Sequence, residues 1–111
     1  MKKFVVIYYA PASAIEQMAH ASPEEHQKGM EPWMAWMARC GSALVDPGAP
    51  LMDGQRLTTS GTSASESQVA GYSVLQAEDM GAARALLEGH PHLEWAPGCA
   101  LEVFEATPME M

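Results

Sequence analysis

Basic residues are scarce in this chain. It has 6 Lys and Arg against 14 Asp and Glu, a formal net charge of -8. Nucleic-acid binding is driven by Lys and Arg displacing counterions from phosphates, so this deficit argues against a nucleic-acid partner. It argues equally against an anionic membrane surface. Cysteine is nearly absent too: Cys40 and Cys99 stand far apart, in no metal-type spacing. A secreted disulfide scaffold would be denser, so the expectation is a reduced, cytoplasmic protein in which both thiols are small buried hydrophobes. No apolar run is long enough to span a bilayer. The opening Lys2-Lys3 and Phe4 to Ala10 superficially resemble a signal peptide. That run is only at the lower length limit, is rich in Val, Ile and Tyr, and meets Pro11, so a buried first strand accounts for it better. There is no phosphate loop, since Ser60-Gly-Thr-Ser-Ala-Ser lacks the Gly-Lys-Ser/Thr ending. There is no Gly-x-Gly-x-x-Gly after a strand and no Gly-x-Ser-x-Gly elbow. Nucleotide cofactors and serine hydrolysis are unsupported, and no cofactor is expected.

What is present fits one globular domain over residues 1–106 with a loose tail at 107–111. The chain has 111 residues, 48% hydrophobic and 18% charged. Phe4 to Tyr9 is a continuous β-branched and aromatic run, suited to a strand covered on both faces. Ser13 to Glu16 has capping-box spacing, which predicts a short helix to about Ala21. Ser22-Pro23-Glu24-Glu25 is a stronger start, with an N-cap, Pro at the first helical position and Glu three residues on. That helix should end at Gly41. At 100° per residue His26, Gly29, Met30, Trp33, Met34, Trp36, Met37 and Cys40 share one arc. Pro32 interrupts it and predicts a kink near Met30 or two helical pieces meeting there.

Ala43 to Val45 reads as a second strand, broken by Asp46-Pro47-Gly48-Ala49-Pro50. Gln55 to Thr59 reads as a short polar strand, and Ser60 to Ser67 as a mobile surface loop. Val69 to Ala77 is the next strand. Glu78 and Asp79 then open a helix over Met80 to Glu88, with Gly89 as its C′ residue and Pro91 preventing continuation. Ala100 to Ala106 is the last strand, at an edge. The order predicts an α+β fold: a ferredoxin-like split βαβ arrangement, two helices on one face of a mostly antiparallel sheet. Strands that are apolar on both faces then leave a greasy second face, and a symmetric homodimer pairing sheet on sheet is the simplest cover.

Lys3 to Tyr9, the Trp-rich helix ending Arg39-Cys40-Gly41, the stretch from Ala70-Gly71-Tyr72 to Glu78-Asp79 and the ending Leu101-Glu102-Val103 resemble the YCII-related family of small bacterial proteins. The resemblance spans nearly the whole chain and implies a dimeric α+β barrel with a pocket between helices and sheet. It also implies a His/Asp pair as catalytic core. Met30 stands at the helix position of that His, and His90-Pro91 stands where the family has Asp-Pro. The Asp-Gly-Pro-Phe stretch of one large subgroup is replaced by Ser60 to Ser67.

Several residues carry candidate chemistry. His90 and His92 flank Pro91 just past a helix C-terminus, where the dipole favours a charged imidazole. They read either as an acid/base or substrate-anchoring pair, or as a capping His90 beside a solvated His92. No third and fourth ligand stands at a recognisable spacing, so no metal is expected. His26 lies on the apolar arc one turn before Met30. A helix N-terminal half disfavours imidazolium, so a neutral proton acceptor is expected there, against the alternative of a core-edge histidine bonded to a carbonyl. Asp46 would orient a histidine or form an ordinary Asp-Pro-Gly turn. Trp33, Trp36, Met30, Met34 and Met37 would line an aromatic-accepting pocket or form core. Tyr8 and Tyr72 would place hydroxyls in the cavity or pack. The leading expectation is a small-molecule-binding protein, with cofactor-free lyase or isomerase chemistry carried by His90, His26 and Asp46. The alternatives are a non-catalytic ligand-binding or regulatory module and a purely structural dimer.

Overall fold

The computed structural model describes residues 1–109; Glu110 and Met111, the end of the expected loose tail, lie outside the described residues. Strand β1 spans Lys2–Tyr9, and helix α1 spans Ala12–Ala19. Helix α2 (Pro23–Cys40) follows, then a 3-10 turn at Gly41–Ala43 and strand β2 (Leu44–Asp46). Strands β3 (Gln55–Thr58) and β4 (Gly61–Ala64) form a separate hairpin. Strand β5 (Val69–Ala77), helix α3 (Met80–Leu86), a 3-10 turn at Pro91–Glu94 and strand β6 (Ala100–Ala106) complete the chain. The main sheet has the order β2-β5-β1-β6 with every neighbouring pair antiparallel. This is the expected α+β, ferredoxin-like arrangement, with β6 at one edge.

Capping chemistry sets the helix bounds. Ser22 Oγ accepts a hydrogen bond from the Glu25 amide at 3.2 Å, Pro23 occupies the first turn, and Gly41 leaves the helix at φ +55°. Asp79 caps α3 by accepting from the Ala82 amide at 2.8 Å. Helix α1 departs from expectation. Its N-cap is Pro11, with no side-chain cap, and Ser13 lies inside the helix. Helix α2 runs unbroken through Pro32, so of the expected kink near Met30 or two helical pieces, the two pieces are ruled out. Pro32 and Lys28 are both exposed, so the carbonyl that the proline leaves unpaired can be solvated. The expected mobile loop at Ser60 to Ser67 is also corrected. Gly61 to Ala64 pairs with Gln55 to Thr58 through a tight turn at Thr59-Ser60, so backbone hydrogen bonding orders a stretch with no large apolar residue.

The helix-side face of the sheet carries Phe4, Val6, Tyr8, Ser73, Leu75 and Ala77, which pack with Trp36, Cys40, Ala83 and Leu87. On the other face Val5 pairs with Val74 and Phe104, and Ile7 with Tyr72 and Glu102. That face is apolar at its centre, as expected, and Phe104 is 50% exposed. The arc on α2 is only partly used. Trp36 and Cys40 are buried, while His26, Gly29, Met30 and Met34 are exposed. Periodicity reports which side of a helix is apolar, not how far the sheet extends beneath it.

Candidate functional site

Four polar residues are brought together under α2. Tyr8 points up from β1 and Ser73 from the neighbouring β5, and His90 and His92 bracket the first residue of the 3-10 turn after α3. Ser73 and His90 are fully buried, and Tyr8 and His92 are each 3% exposed. Tyr8 Oη lies 2.9 Å from Ser73 Oγ and 3.1 Å from His90 Nε2. Ser73 Oγ donates to the Pro47 carbonyl at 2.8 Å. The His92 amide donates to His90 Nδ1 at 3.0 Å, and His92 Nε2 lies 2.8 Å from the Tyr9 carbonyl.

The two ends of this chain fix the direction of every proton in it. A backbone amide can only donate, so His90 Nδ1 is unprotonated and the neutral ring carries its proton on Nε2. A carbonyl can only accept, so the Ser73 proton faces Pro47. The sequence is therefore His90 Nε2–H to Tyr8 Oη–H to Ser73 Oγ–H to Pro47 O. His92 donates from Nε2 to Tyr9 O on the same reasoning.

Electrostatics agrees with this assignment. Burial holds the His90 pKa down at about 4, with the neighbouring His92 and Arg39 adding to the effect. Protonating Nδ1 would also set two N–H groups against each other. The expected charged imidazole at the helix end is thus corrected: His90 is neutral, because full burial outweighs the dipole. Burial pushes the Tyr8 phenol up to about 12; the Ser73 hydrogen bond opposes this, and Cys40 adds a smaller rise. Tyr8 therefore holds its proton at neutral pH and is a weaker acid than a free phenol. His90 serves it as a hydrogen-bond donor, a contact that favours the phenolate once a proton is lost.

Aromatic rings enclose the group. Trp33 stands edge-on to Tyr8 at 5.2 Å and to His90 at 4.6 Å, and Trp36 lies 4.4 Å from His90. Trp36 Nε1–H is pinned to the Leu86 carbonyl at 2.8 Å. Arg39 donates to the Glu88 carbonyl at 2.8 Å, so α2 is fastened to the end of α3.

The other sequence candidates divide. Trp33, Trp36, His90 and His92 meet at one place. His26 does not: it is exposed and bonds the Met18 carbonyl at 2.8 Å, tying α1 to α2. Met30 is 51% exposed on the outer part of α2. Tyr72 alternates with Ser73 and so faces the opposite side of the sheet. Asp46 does not touch a histidine. Its Oδ1 accepts from the Gly48 amide at 2.8 Å, forming the turn that presents the Pro47 carbonyl to Ser73. Gly48 is at φ +79°, and a Cβ there would fall 1.6 Å from the Tyr72 carbonyl oxygen, so the close approach requires glycine. Asp46 thus shapes the far end of the chain of protons. Ser73 carried no signal of its own in the sequence, and Tyr8 had only its place in an apolar strand. Among the described residues no group of three or more His, Cys, Asp or Glu could hold a metal ion.

No protein-family model matches the chain, and no curated protein matches it. Among solved structures it is similar to 5-chloro-2-hydroxyhydroquinone dehydrochlorinase (TftG) from Burkholderia phenoliruptrix AC1100, in complex with 2,5-dihydroxybenzoquinone. The identity is 12%, the TM-score 0.49, and the match covers 90% of each chain. A likeness at that score says nothing about chemistry.

Proposed function

We propose that this chain is a YCII-like, cofactor-free acid–base protein that binds a small, flat organic molecule, acting as a lyase or isomerase, with Tyr8 as the proton donor. The observation that carries this reading is the oriented chain from His90 through Tyr8 and Ser73 to Pro47. The Tyr8 hydroxyl turns about its C–O bond from Ser73 to the ligand and gives up its proton. The electron pair stays on the phenolate oxygen, which His90 Nε2–H holds. The ligand returns a proton from another of its atoms, so an isomerisation leaves the protein unchanged. Trp36 supplies an apolar wall.

The working unit in this reading is a homodimer paired through Val5, Ile7, Val74 and Phe104, with the free thiols Cys40 and Cys99 suited to the cytoplasm. A second reading, a purely structural polar cluster, is favoured by the near-complete burial of all four polar side chains.

A panel of phenols and cyclic enones, followed by NMR for binding and for proton exchange into solvent deuterium, separates the two. Tyr8→Phe should abolish exchange while binding persists, and His90→Gln should slow exchange at least tenfold. Exchange that is absent in the native protein, or equal in Tyr8→Phe, would leave only the structural role.

A further inference from the structure

We propose that Trp33 is a swinging door, and that the seat its indole now occupies is the ligand site, suited to a neutral aromatic molecule no larger than indole. The inference rests on the acid–base reading above, since it says how a ligand reaches Tyr8. Of the rings packed on His90, Tyr8 and Trp36 are buried, and Trp33 alone is partly exposed. Trp36 is held by its indole N–H, whereas among the described residues the Trp33 N–H has no hydrogen-bond partner. Trp33 is therefore the ring that can leave.

The preceding turn shows where it goes. A helical side chain leans back over the residues three and four positions earlier, here Met30 and Gly29. Glycine weakens a helix interior, and nothing in the backbone demands it at position 29. Gly29 is not among the positive-φ residues, and a Cβ there would have no neighbouring atom within 4 Å. What Gly29 leaves is open surface beside the exposed Met30. An indole turned outward comes over that surface while Trp36, Cys40 and Arg39 keep the helix fastened. The uncovered seat is floored by Tyr8, with His90 and His92 beside it. A flat ring entering it inherits the edge-to-face contacts of Trp33 with the Tyr8 and His90 rings. The overall charge of -8 selects against anionic ligands.

The test uses the full chain labelled with 5-fluorotryptophan, whose three resonances are assigned by single Trp→Phe variants, and phenol as the probe. Phenol should shift the Trp33 resonance along a saturating curve and leave Trp36 nearly unmoved. Gly29→Val, which puts a branched side chain on that surface, should weaken that response at least tenfold, and Gly29→Ala by less. Both variants should keep the native circular dichroism spectrum. A Trp33 resonance that phenol does not move, or moves equally in native protein and in both Gly29 variants, would overturn the door. Proton exchange into solvent deuterium, compared between the native protein and Tyr8→Phe, tells the two proposals apart. If Tyr8→Phe abolishes exchange while Trp33 stays put, the door is wrong and the acid–base reading survives. If Trp33 moves and Gly29→Val blocks it, while exchange is absent or equal in Tyr8→Phe, the door stands and the acid–base reading loses its support.

Discussion

His90 is the residue on which stability and chemistry meet. Its ordinary pKa near 6.5 falls to about 4 in the fold, so between those values the unfolded chain binds a proton that the folded chain refuses. The corresponding stability is fully present above pH 6.5 and is lost as pH falls toward 4. Urea unfolding at pH 7 and pH 4.5 should show a drop on the order of 2–3 kcal/mol from this group, and His90→Gln should remove that component of the slope. Ser73 is the second sensitive point. Ser73→Ala leaves the Tyr8 hydroxyl and the Pro47 carbonyl without their buried partner, at a cost of about 1–3 kcal/mol, readable as a lowered urea midpoint. The site was only half legible at this scale. His90, His92, Trp33 and Trp36 stood out by residue type. Ser73 did not, because one serine among many acquires meaning only when strand register sets it opposite Val6 and one step from Tyr8. Asp46 carried two readings in the sequence, and the structure takes the Asp-Pro-Gly turn over the grip on an imidazole.

At the scale of elements, the sequence signals that worked were local ones. Ser22, Pro23 and Gly41 bound α2, and Asp79 starts α3, because capping is decided within a few residues. Ser22→Ala should therefore cost about 1 kcal/mol, seen in the thermal midpoint. The signals that failed needed distant information. The hairpin of β3 and β4 has no apolar alternation, and the outer half of α2 has an apolar arc that no sheet lies under. Gly48 belongs with these. Its left-handed backbone is ordinary in a turn, but the 1.6 Å approach to the Tyr72 carbonyl appears only once β5 is in place. Gly48→Ala should lose on the order of 3 kcal/mol or more and, by pushing the turn away, detach Pro47 from Ser73. Loss of stability well beyond that of Ser73→Ala in denaturant titrations would confirm the order.

For the whole molecule, the radius of gyration is 15.5 Å, against about 13 Å for a compact chain of this length. The hairpin accounts for part of the excess: every residue of β3 and β4 is exposed, and the two strands join only each other. The ferredoxin-like order was legible from the alternation of strand and helix patterns along the chain, since connection rules leave few topologies. The apolar outer face was legible too, from strands greasy on both sides. If a second copy covers it, sedimentation at micromolar concentration gives a dimer, and Phe104→Glu with Val5→Lys gives a folded monomer. A native protein that sediments as a monomer removes the dimer from the proposal.

The tip at Thr59-Ser60 has one more use. It turns tightly, and neither of its strands lends a side chain to the interior. A peptide epitope or a fluorophore-bearing tag spliced in there should ride on the protein as a passenger, giving a handle for imaging or capture that leaves the buried chemistry as it was.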